Sequence, residues 1–350
     1  VKLALALDSL GYRVSINPAL LCNTIAVEDR MRLEQLMEET PGKDVQIKWS
    51  HYWKPYLEQK INGDLNLEIY NIDYLFKDHD KDQYDYWVKS MLNNNYYKLP
   101  NSTFSRDVMA TAGISKDRCF ILPHGFSPEI NEIREKIDLP TNKSFKFLAI
   151  TNAHDPNRYG NDILMKAFTK AFSREDDVAL VIVDYGGKDL NIEKAIHQYR
   201  GSLEIIYITQ FLPKDVLIKL YNSCDAFVAP FRGEGFSMKI LDAMACGLPT
   251  ILPLFSGPTE YANAQNCFPV QFEIIPMEDS LDTRSLHIGN SPHWCEVDGD
   301  SLIDTMRYVY NNTEEARKIA FKGKEFVLSE FSWEHIAKRL INIIDNIRSK

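Results

Sequence analysis

Two acidic side chains lie eight positions apart across the start of a predicted helix. Glu234 stands in the turn Gly233-Glu234-Gly235, which follows an apolar strand over 226–229. Asp242 lies on the second turn of the helix, whose apolar face consists of Met238, Leu241, Met244 and Ala245. A glycine-rich turn lets a ligand approach the backbone N–H groups at a helix start, where the positive end of the helix dipole favours phosphate. One acid is therefore placed to face a sugar, while the other can reach a ribose hydroxyl.

The elements that must position these acids alternate between strand and helix, which predicts parallel sheets in both halves of the chain. In the second half we expect strands over 145–150, 178–183, 204–208, 226–229 and 250–252. In the first half we expect strands over 12–16, 45–49 and 65–69, and helices over 1–7 and 28–39. Ligands of open α/β sheets bind outside the carboxyl ends of the strands. The loop 152–160 and the turn with Glu234 should therefore converge on one site.

Composition narrows the class of protein. A length of 350 residues is typical of two domains, and 45% hydrophobic residues are enough for two cores. The net charge of -9, with no basic stretch, argues against a nucleic-acid-binding protein. The longest apolar run, 178–183, is far shorter than the roughly 20 residues that span a bilayer, so any membrane contact would be peripheral. Six scattered cysteines without C-x-x-C spacing indicate a reducing compartment, and we expect a cytoplasmic location.

The segment from Pro230 to Ile251 resembles the donor-site signature of retaining, nucleotide-sugar-dependent glycosyltransferases of group 1, family four. The family pattern has two glutamates separated by seven residues. Glu234 matches the first glutamate, and Asp242, one methylene shorter, stands at the second. The resemblance implies an α/β chain of the GT-B architecture, in which two Rossmann-like domains with parallel sheets face each other across a cleft. It covers most of the chain, through further segments at 101–107, 112–114, 121–126 and 331–333.

The same resemblance implies roles for residues of this chain. The implied catalytic residues are Glu234, Asp242 and Arg158. The implied donor-binding residues are Gly233, Gly235, Phe236, Ser237, Met238, Asp242, His154 and Arg158. Glu234 would contact the sugar hydroxyls and stabilise positive charge at the anomeric carbon, and Asp242 would bind the ribose. Arg158 would neutralise the departing diphosphate, which the backbone N–H groups of 236–238 would also bind.

Arg158 is the only arginine or lysine in the loop 152–160, where the family has one of each. The plainer alternatives are a solvated loop carboxylate for Glu234, an exposed helix position for Asp242 and a surface cation for Arg158. Since Asp242 stands in place of a glutamate, we expect Asp242→Glu to be tolerated or to improve donor binding. No metal or other cofactor is expected, and the spacing of His287, His293 and Cys295 matches none of the common zinc patterns.

The resemblance also divides the chain. It implies an acceptor-side domain over 1–127, a linker over 128–144, a nucleotide-sugar-binding domain over 145–330, and a helix over 331–350 that crosses back to the first domain. In the family a strand and a glycine-rich loop precede the helix that opens this chain. We therefore expect an N-terminally incomplete sequence. Trp294 and Glu296 match a recurring segment of similar sequences, but their chemistry indicates no role.

The leading hypothesis is a retaining glycosyltransferase that moves a sugar from a nucleotide-diphosphate sugar to a saccharide, lipid-linked or protein acceptor, as in polysaccharide biosynthesis. Two alternatives stay open. One is a GT-B relative with another chemistry, such as an epimerase or a phosphorylase. The other is a catalytically inactive relative that binds nucleotide sugars or serves as a partner subunit, a hypothesis motivated by Asp242 and by the single cation of the loop 152–160.

Overall fold

The computed structural model describes residues 2–14, 36, 45–50, 64–70, 96–111, 113–199, 201–276 and 293–350. The chain falls into two compact units. The first contains Val1–Ile72, Asp82–Gly125 and Ser329–Lys350, and the second contains Asp73–Lys81 and Phe126–Leu328. Each unit has its own parallel sheet.

The sheet of the first unit has three parallel strands in the order β1-β2-β3. The strands are β1 (Val45–Ser50), β2 (Leu65–Tyr70) and β3 (Tyr97–Pro100), and the helices are α1 (Lys2–Ser9), α2 (Thr103–Thr111) and α10 (Trp333–Arg348). Leu67 and Leu99 are fully buried in this unit, and α1 packs against α10. At Gly125 an added Cβ would lie 2.7 Å from the ring of Trp333, so this contact with the start of α10 requires a glycine.

The sheet of the second unit has six parallel strands in the order β6-β5-β4-β7-β8-β9. They are β4 (Phe145–Thr151), β5 (Val178–Asp184), β6 (Glu204–Ile208), β7 (Ala226–Val228), β8 (Thr250–Pro253) and β9 (Phe268–Val270). The helices are α3 (Pro156–Tyr159), α4 (Asn161–Ala171), α5 (Leu190–Gln198), α6 (Lys214–Ser223), α7 (Met238–Cys246), α8 (Gly299–Asn311) and α9 (Thr313–Glu330). An antiparallel pair, β10 (Phe272–Pro276) and β11 (His293–Val297), completes the unit. Every residue of β5 is buried, as is typical of a strand covered on both faces.

The strand order creates a reversal point at the middle of this sheet. From β4 the chain proceeds to β5 and β6 on one side, and it then returns to β7, from which β8 and β9 extend on the other side. Open α/β sheets bind their ligands at the carboxyl ends of the strands at such a point. The loops that follow β4 and β7 lie side by side there, because the N–H of Arg232 donates to the carbonyl of Arg158 at 2.7 Å.

The sequence predicted seven of the described strands, whereas β3, β9, β10 and β11 were not predicted. The strands expected over 45–49 and 65–69, and all five of the second half, are confirmed to within one residue at each end. The helix expected over 1–7 is α1. The strand expected over 12–16 is wrong for 12–14, which are irregular after Gly11, and Tyr12 is 48% exposed rather than covered by a sheet. Positions 15 and 16 lie outside the described residues, as does the helix expected over 28–39 apart from the helical Leu36.

Two features expected from composition can be compared with the described part of the chain. None of its helices is both long and apolar enough to cross a bilayer. The five cysteines that lie within it are all free thiols.

Candidate functional site

The turn that carries Glu234 is held by the loop after β8. The N–H of Glu234 donates to the Oγ of Ser256 at 3.2 Å, and its carbonyl accepts from the N–H of Gly257 at 2.8 Å. An added Cβ at Gly257 would lie 1.8 Å from the carbonyl oxygen of Gly235, so this close approach requires a glycine. Ser256 has a φ of 54°, a left-handed value that residues with a Cβ rarely adopt. Two irregular loops thus determine where Glu234 lies.

The start of α7 has an unfavourable backbone conformation that a buried tyrosine stabilises. Ser237, the N-cap residue, has φ 65° and ψ 79°. The hydroxyl of Tyr261 lies 2.6 Å from the carbonyl oxygen of Phe236 and 2.8 Å from that of Ser237, and it donates its proton to one of them at a time. Burial raises the pKa of Tyr261 well above its ordinary value, so the hydroxyl remains a donor. This contact offsets part of a backbone cost of about 1–3 kcal/mol.

The loop after β4 brings Arg158 to this turn. Its short helix α3 ends at Gly160, which has φ 68° and where an added Cβ would lie 2.0 Å from the carbonyl oxygen of Pro230. The Nη1 of Arg158 lies 3.2 Å from the Oε2 of Glu234, and its Nε donates to Asp155 at 2.8 Å. Arg158 is only 8% exposed, which excludes the alternative of a surface cation.

Glu234 is a buried carboxylate between two cations. It is 4% exposed, with Arg158 beside Oε2 and the Nζ of Lys239 2.9 Å from Oε1. Burial alone would raise the pKa of Glu234, but the charges of Lys239 and Arg158 outweigh burial and lower the pKa below its ordinary value. Glu234 is therefore ionised at neutral pH, and the alternative of a solvated loop carboxylate is excluded.

Asp242 is also buried, and its oxygens already have partners. Its Oδ1 accepts from the N–H of Ser127 at 2.8 Å, and its Oδ2 accepts from the Oγ of Ser127 at 2.6 Å. The Nζ of Lys214 lies 3.1 Å from Oδ2. At 2% exposure Asp242 is not the exposed helix position of the alternative interpretation. A ribose hydroxyl would have to share this carboxylate with Lys214 or displace it.

A buried arginine joins the two loops of the site. The N–H of Arg232 donates to the carbonyl of Arg158, and its Nη1 donates to the carbonyl of Asn157, both at 2.7 Å. Its guanidinium also donates to both carboxylate oxygens of Asp162, each at 2.8 Å. Arg232 therefore holds the loop that carries Arg158 against the loop that carries Glu234.

The same guanidinium contacts β11. Its Nε and Nη2 donate to Glu296 at 2.5 and 2.9 Å, and it lies 5.2 Å from the ring centroid of Trp294. Burial alone would lower the pKa of Arg232, but its hydrogen bonds to Asp162 and Glu296 raise it above the ordinary value. Trp294 and Glu296, which suggested no role in the sequence, thus support the arginine that joins the two loops.

Two aromatic side chains follow the neighbouring strands β5 and β6. The ring centroids of Tyr185 and Phe211 lie 6.0 Å apart, and the side chains are 39% and 71% exposed. Burial and the charge of Asp242 raise the pKa of Tyr185 to about 12, so its hydroxyl is protonated at neutral pH. These rings are at the same edge of the sheet as Arg158 and Glu234, because all four residues follow the carboxyl ends of strands.

The structure brings some of the predicted residues together and leaves one apart. Arg158 contacts Glu234 directly and also lies 3.4 Å from the carbonyl oxygen of Gly233. His154 is exposed, and its ring makes no hydrogen bond or ion pair with any residue that the structure describes. Across the described residues there is also no cluster of three or more His, Cys, Asp and Glu side chains that could hold a metal ion.

Sequence reasoning missed Lys239, Lys214 and Ser127. A signal for the two lysines was present. Lys214 is the first residue of α6 and Lys239 the second of α7, where the positive end of the helix dipole disfavours a cation. Ser127 offered no such signal, because it lies 115 positions from Asp242.

The fold and the site together define an α/β protein with parallel sheets and a buried acid between two cations at the carboxyl end of a central strand. Residues 144–273 match the family described as Glycosyl transferases group 1. The resemblance identified in the sequence is thereby confirmed. The matched stretch contains β4 to β9 and with them Arg158, Glu234 and Asp242.

Two relatives illustrate the range of similarity. The chain is 26% identical over 184 residues to the uncharacterized glycosyltransferase MJ1607 of Methanocaldococcus jannaschii, which covers 53% of this chain and 41% of that protein. It is 22% identical over 250 residues to the MMP alpha-(1->4)-mannosyltransferase of Mycolicibacterium hassiacum, covering 70% of this chain and 52% of the relative. The chain thus spans about half the length of these relatives.

Solved structures share the fold at low identity. The sucrose-phosphate synthase of Thermosynechococcus elongatus superposes with a TM-score of 0.66 at 16% identity, covering 99% of this chain and 92% of that one. HepE of Anabaena, in complex with UDP and glucose, has a TM-score of 0.60 at 17% identity, covering 80% of this chain and 72% of that one. The α/β fold class with parallel sheets and GT-B neighbours is confirmed.

Proposed function

We propose that the chain is a retaining glycosyltransferase that transfers a sugar from a nucleotide-diphosphate sugar to a saccharide, lipid-linked or protein acceptor. The observation that carries the proposal is the buried carboxylate of Glu234 between Arg158 and Lys239, inside the stretch that matches the group 1 family. A charged group fixed in a water-poor site stabilises a developing opposite charge far better than the same group does in water.

In the proposed reaction the sugar of the donor lies against Glu234, which accepts hydrogen bonds from sugar hydroxyls. The bond between the anomeric carbon and the diphosphate oxygen breaks, and Glu234 stabilises the positive charge that develops on that carbon. The acceptor hydroxyl attacks from the same face, and its proton passes to the departing diphosphate, whose charge Arg158 neutralises. Catalysis then consists mainly of positioning and electrostatic stabilisation.

The nucleoside part of the donor is proposed to lie toward β5 and β6. Tyr185 and Phe211 offer exposed ring faces there, and stacking of a base on an aromatic ring is worth about 1–3 kcal/mol. The charge of Asp242 contributes to the raised pKa of Tyr185, and we propose that Asp242 binds the ribose when Lys214 moves away from its Oδ2. HepE contains UDP and glucose, which makes UDP-glucose the first donor to test.

The proposal predicts that Glu234→Gln abolishes most turnover while the protein still folds and binds nucleotide. Loss of one preorganised electrostatic contact of this kind lowers kcat by about 10²-fold or more. The donor is first identified by measuring the thermal midpoint of the protein with UDP, GDP, ADP and their common nucleotide sugars. A ligand that binds the native state raises this midpoint. Release of the nucleoside diphosphate is then measured with and without saccharide acceptors.

Glu314→Gln is the matched control, because Glu314 is a glutamate of α9 whose side chain is 84% exposed. Full activity of Glu234→Gln would refute the role of Glu234. If nucleotide still raises the thermal midpoint when Arg158 and Asp242 are both replaced, the donor binds elsewhere. Release of a free sugar or nucleotide without any acceptor would instead favour an epimerase or another GT-B chemistry.

One observation favours a second candidate, a nucleotide-sugar-binding protein without turnover. Both oxygens of Asp242 are already occupied by Ser127 and Lys214. Donor binding without release of nucleoside diphosphate, unchanged by Glu234→Ala, would support this candidate. The acceptor, the division at 1–127, 128–144, 145–330 and 331–350, and the cytoplasmic location stay predictions.

A further inference from the structure

Lys239 is the second basic group beside Glu234, and the reaction proposed above leaves it without a role. It is the second residue of α7, and its side chain is 15% exposed. Its Nζ lies 2.9 Å from the Oε1 of Glu234 and 3.5 Å from the ring centroid of Tyr159. The side chain is therefore directed into the group of residues that contains Glu234 and Arg158.

The position of this lysine is unfavourable for the fold alone. The first turn of a helix carries the positive end of the helix dipole, which disfavours a cation by about 0.3–1 kcal/mol at exposed positions. Burial of an ammonium group adds a desolvation cost. Arg158 already neutralises Glu234, with its Nη1 at 3.2 Å, so that a second cation is not needed to pair the carboxylate.

Three buried polar atoms at this helix start lack a hydrogen-bond partner among the residues that the structure describes. They are the Oγ of Ser237 and the two atoms of the 2.9 Å ion pair, the Nζ of Lys239 and the Oε1 of Glu234, which have only each other as polar partners among the described residues. Buried polar atoms of native proteins are nearly always hydrogen-bonded, so the hydroxyl of Ser237 without a partner, next to an ion pair with no further polar partner in the described part of the chain, indicates a ligand. Ser237 is 8% exposed, and as N-cap residue it makes no cap hydrogen bond with its side chain.

The chemistry of these atoms identifies the ligand. An ammonium and a hydroxyl donate to phosphate oxygens, whereas a carboxylate oxygen accepts from a sugar hydroxyl. The ring of Tyr159 contacts both cations, with the guanidinium of Arg158 at 4.1 Å and the Nζ of Lys239 at 3.5 Å. The single carboxylate of Glu234 lies between these two positive charges, and an anionic ligand would balance the second one.

We propose that Lys239 is the second cation that binds the donor diphosphate, together with the Oγ of Ser237. When the donor binds, the Nζ of Lys239 moves from the Oε1 of Glu234 to a phosphate oxygen, and a sugar hydroxyl takes its place on Oε1. The start of α7 thus supplies the charge that the loop 152–160 lacks, since Arg158 is its only arginine or lysine. This inference rests on the proposed function.

The test compares ligands that share a base but differ in phosphate. The base is the one whose nucleotide raises the thermal midpoint of the wild type. The nucleoside of that base, the nucleoside monophosphate and the nucleoside diphosphate are each titrated calorimetrically into the wild type, Lys239→Met and Lys239→Arg. Loss of one hydrogen bond to a charged group should weaken diphosphate binding of Lys239→Met by about 10- to 100-fold. Nucleoside binding should not change. Lys239→Arg should retain most of the affinity, and Lys318→Met on the exposed face of α9 is the matched control.

Equal diphosphate affinity of the wild type and Lys239→Met would overturn the role of Lys239 and leave the proposed function intact. A wild type that binds no nucleoside diphosphate would overturn both. If Lys239→Met has a strongly lowered thermal midpoint without ligand, Glu234→Gln is compared with Glu234→Gln/Lys239→Met, which removes both charges of the pair. A further loss of diphosphate affinity in the double variant supports the proposal, and an unchanged affinity overturns it.

Discussion

Replacement of Asp242 with glutamate should destabilise this chain, although the family pattern has a glutamate at that position. Asp242 is 2% exposed, and its two oxygens accept from Ser127 at 2.8 and 2.6 Å. An extra methylene in a well-packed place costs about 1–3 kcal/mol. Loss of one of the two hydrogen bonds to the carboxylate costs about 1.5–3 kcal/mol more. Together these costs lower the free energy of unfolding of Asp242→Glu by about 2.5–6 kcal/mol, the reverse of the expectation from the sequence.

Urea and thermal unfolding measure this loss. In a unit of the size of Phe126–Leu328, one kcal/mol shifts the thermal midpoint by about 2–4 °C, so Asp242→Glu should lower it by about 5–24 °C. Ser127→Ala removes only the hydrogen bond from the Oγ of Ser127 to Asp242 and should lower the free energy of unfolding by about 1.5–3 kcal/mol. In the Ser127→Ala background Asp242→Glu should cost less, because the two residues share that bond. Asp304→Glu, at an exposed position of α8, is the control and should change stability by less than about 0.5 kcal/mol.

Two outcomes would contradict this reasoning. An unchanged midpoint with tighter donor binding in Asp242→Glu would refute it and support the expectation drawn from the family pattern. A lower midpoint in Asp242→Glu with no effect of Ser127→Ala would show that packing, rather than the hydrogen bonds of Ser127, requires the shorter acid.

The remaining predictions concern Arg232 and the charge of Glu234. Arg232→Lys keeps the positive charge but loses the paired hydrogen bonds to Asp162 and Glu296, so we expect a lower kcat and a loss of about 1.5–3 kcal/mol in unfolding free energy. Arg317→Lys on the exposed face of α9 is its control, and equal effects of the two variants would refute the positioning role. Because the pKa of Glu234 is lowered from 4.5, its ionised form adds stability that is fully present above that pH. The stability difference between the wild type and Glu234→Gln should be constant above about pH 5 and shrink on acidification, and a difference that grows in urea titrations at lower pH would contradict the sign.

Much of the second sheet could be predicted because its strands are apolar runs separated by polar turns. The run 178–183 is the clearest case, and all of β5 is buried. The segment 12–16 shows where the pattern fails. A few alternating residues predict a strand only if a sheet covers them, and Tyr12 remains 48% exposed. Local pattern thus predicts strands of a buried parallel sheet better than short strands outside it.

Some contacts of the site could likewise be predicted from the sequence, and others could not. The approach of Arg158 to Glu234 could be predicted, because both residues follow strands of one parallel sheet and ligand sites lie at that edge. The contacts of Asp242 could not be predicted, because they depend on tertiary packing against Ser127. Nor does the spacing of two acids tell whether their oxygens are open to a ligand. The structure shows that each acid pairs with a lysine, and that Asp242 also accepts two hydrogen bonds from Ser127.

The two lysines connect these observations. Each stands in the first turn of a helix and forms an ion pair with one of the two acids, Lys239 with Glu234 and Lys214 with Asp242. Without its partner, each lysine would be destabilised by the helix dipole, and each acid would be destabilised by the burial of its charge. Each ion pair offsets the cost of the helix position and the cost of burial, and it keeps a positive and a negative charge beside the glycine-rich turn. A donor with an anionic diphosphate and neutral hydroxyls can replace one partner in each pair. We therefore expect the donor to bind by replacing ion-pair partners of these lysines and acids, rather than by filling an empty pocket.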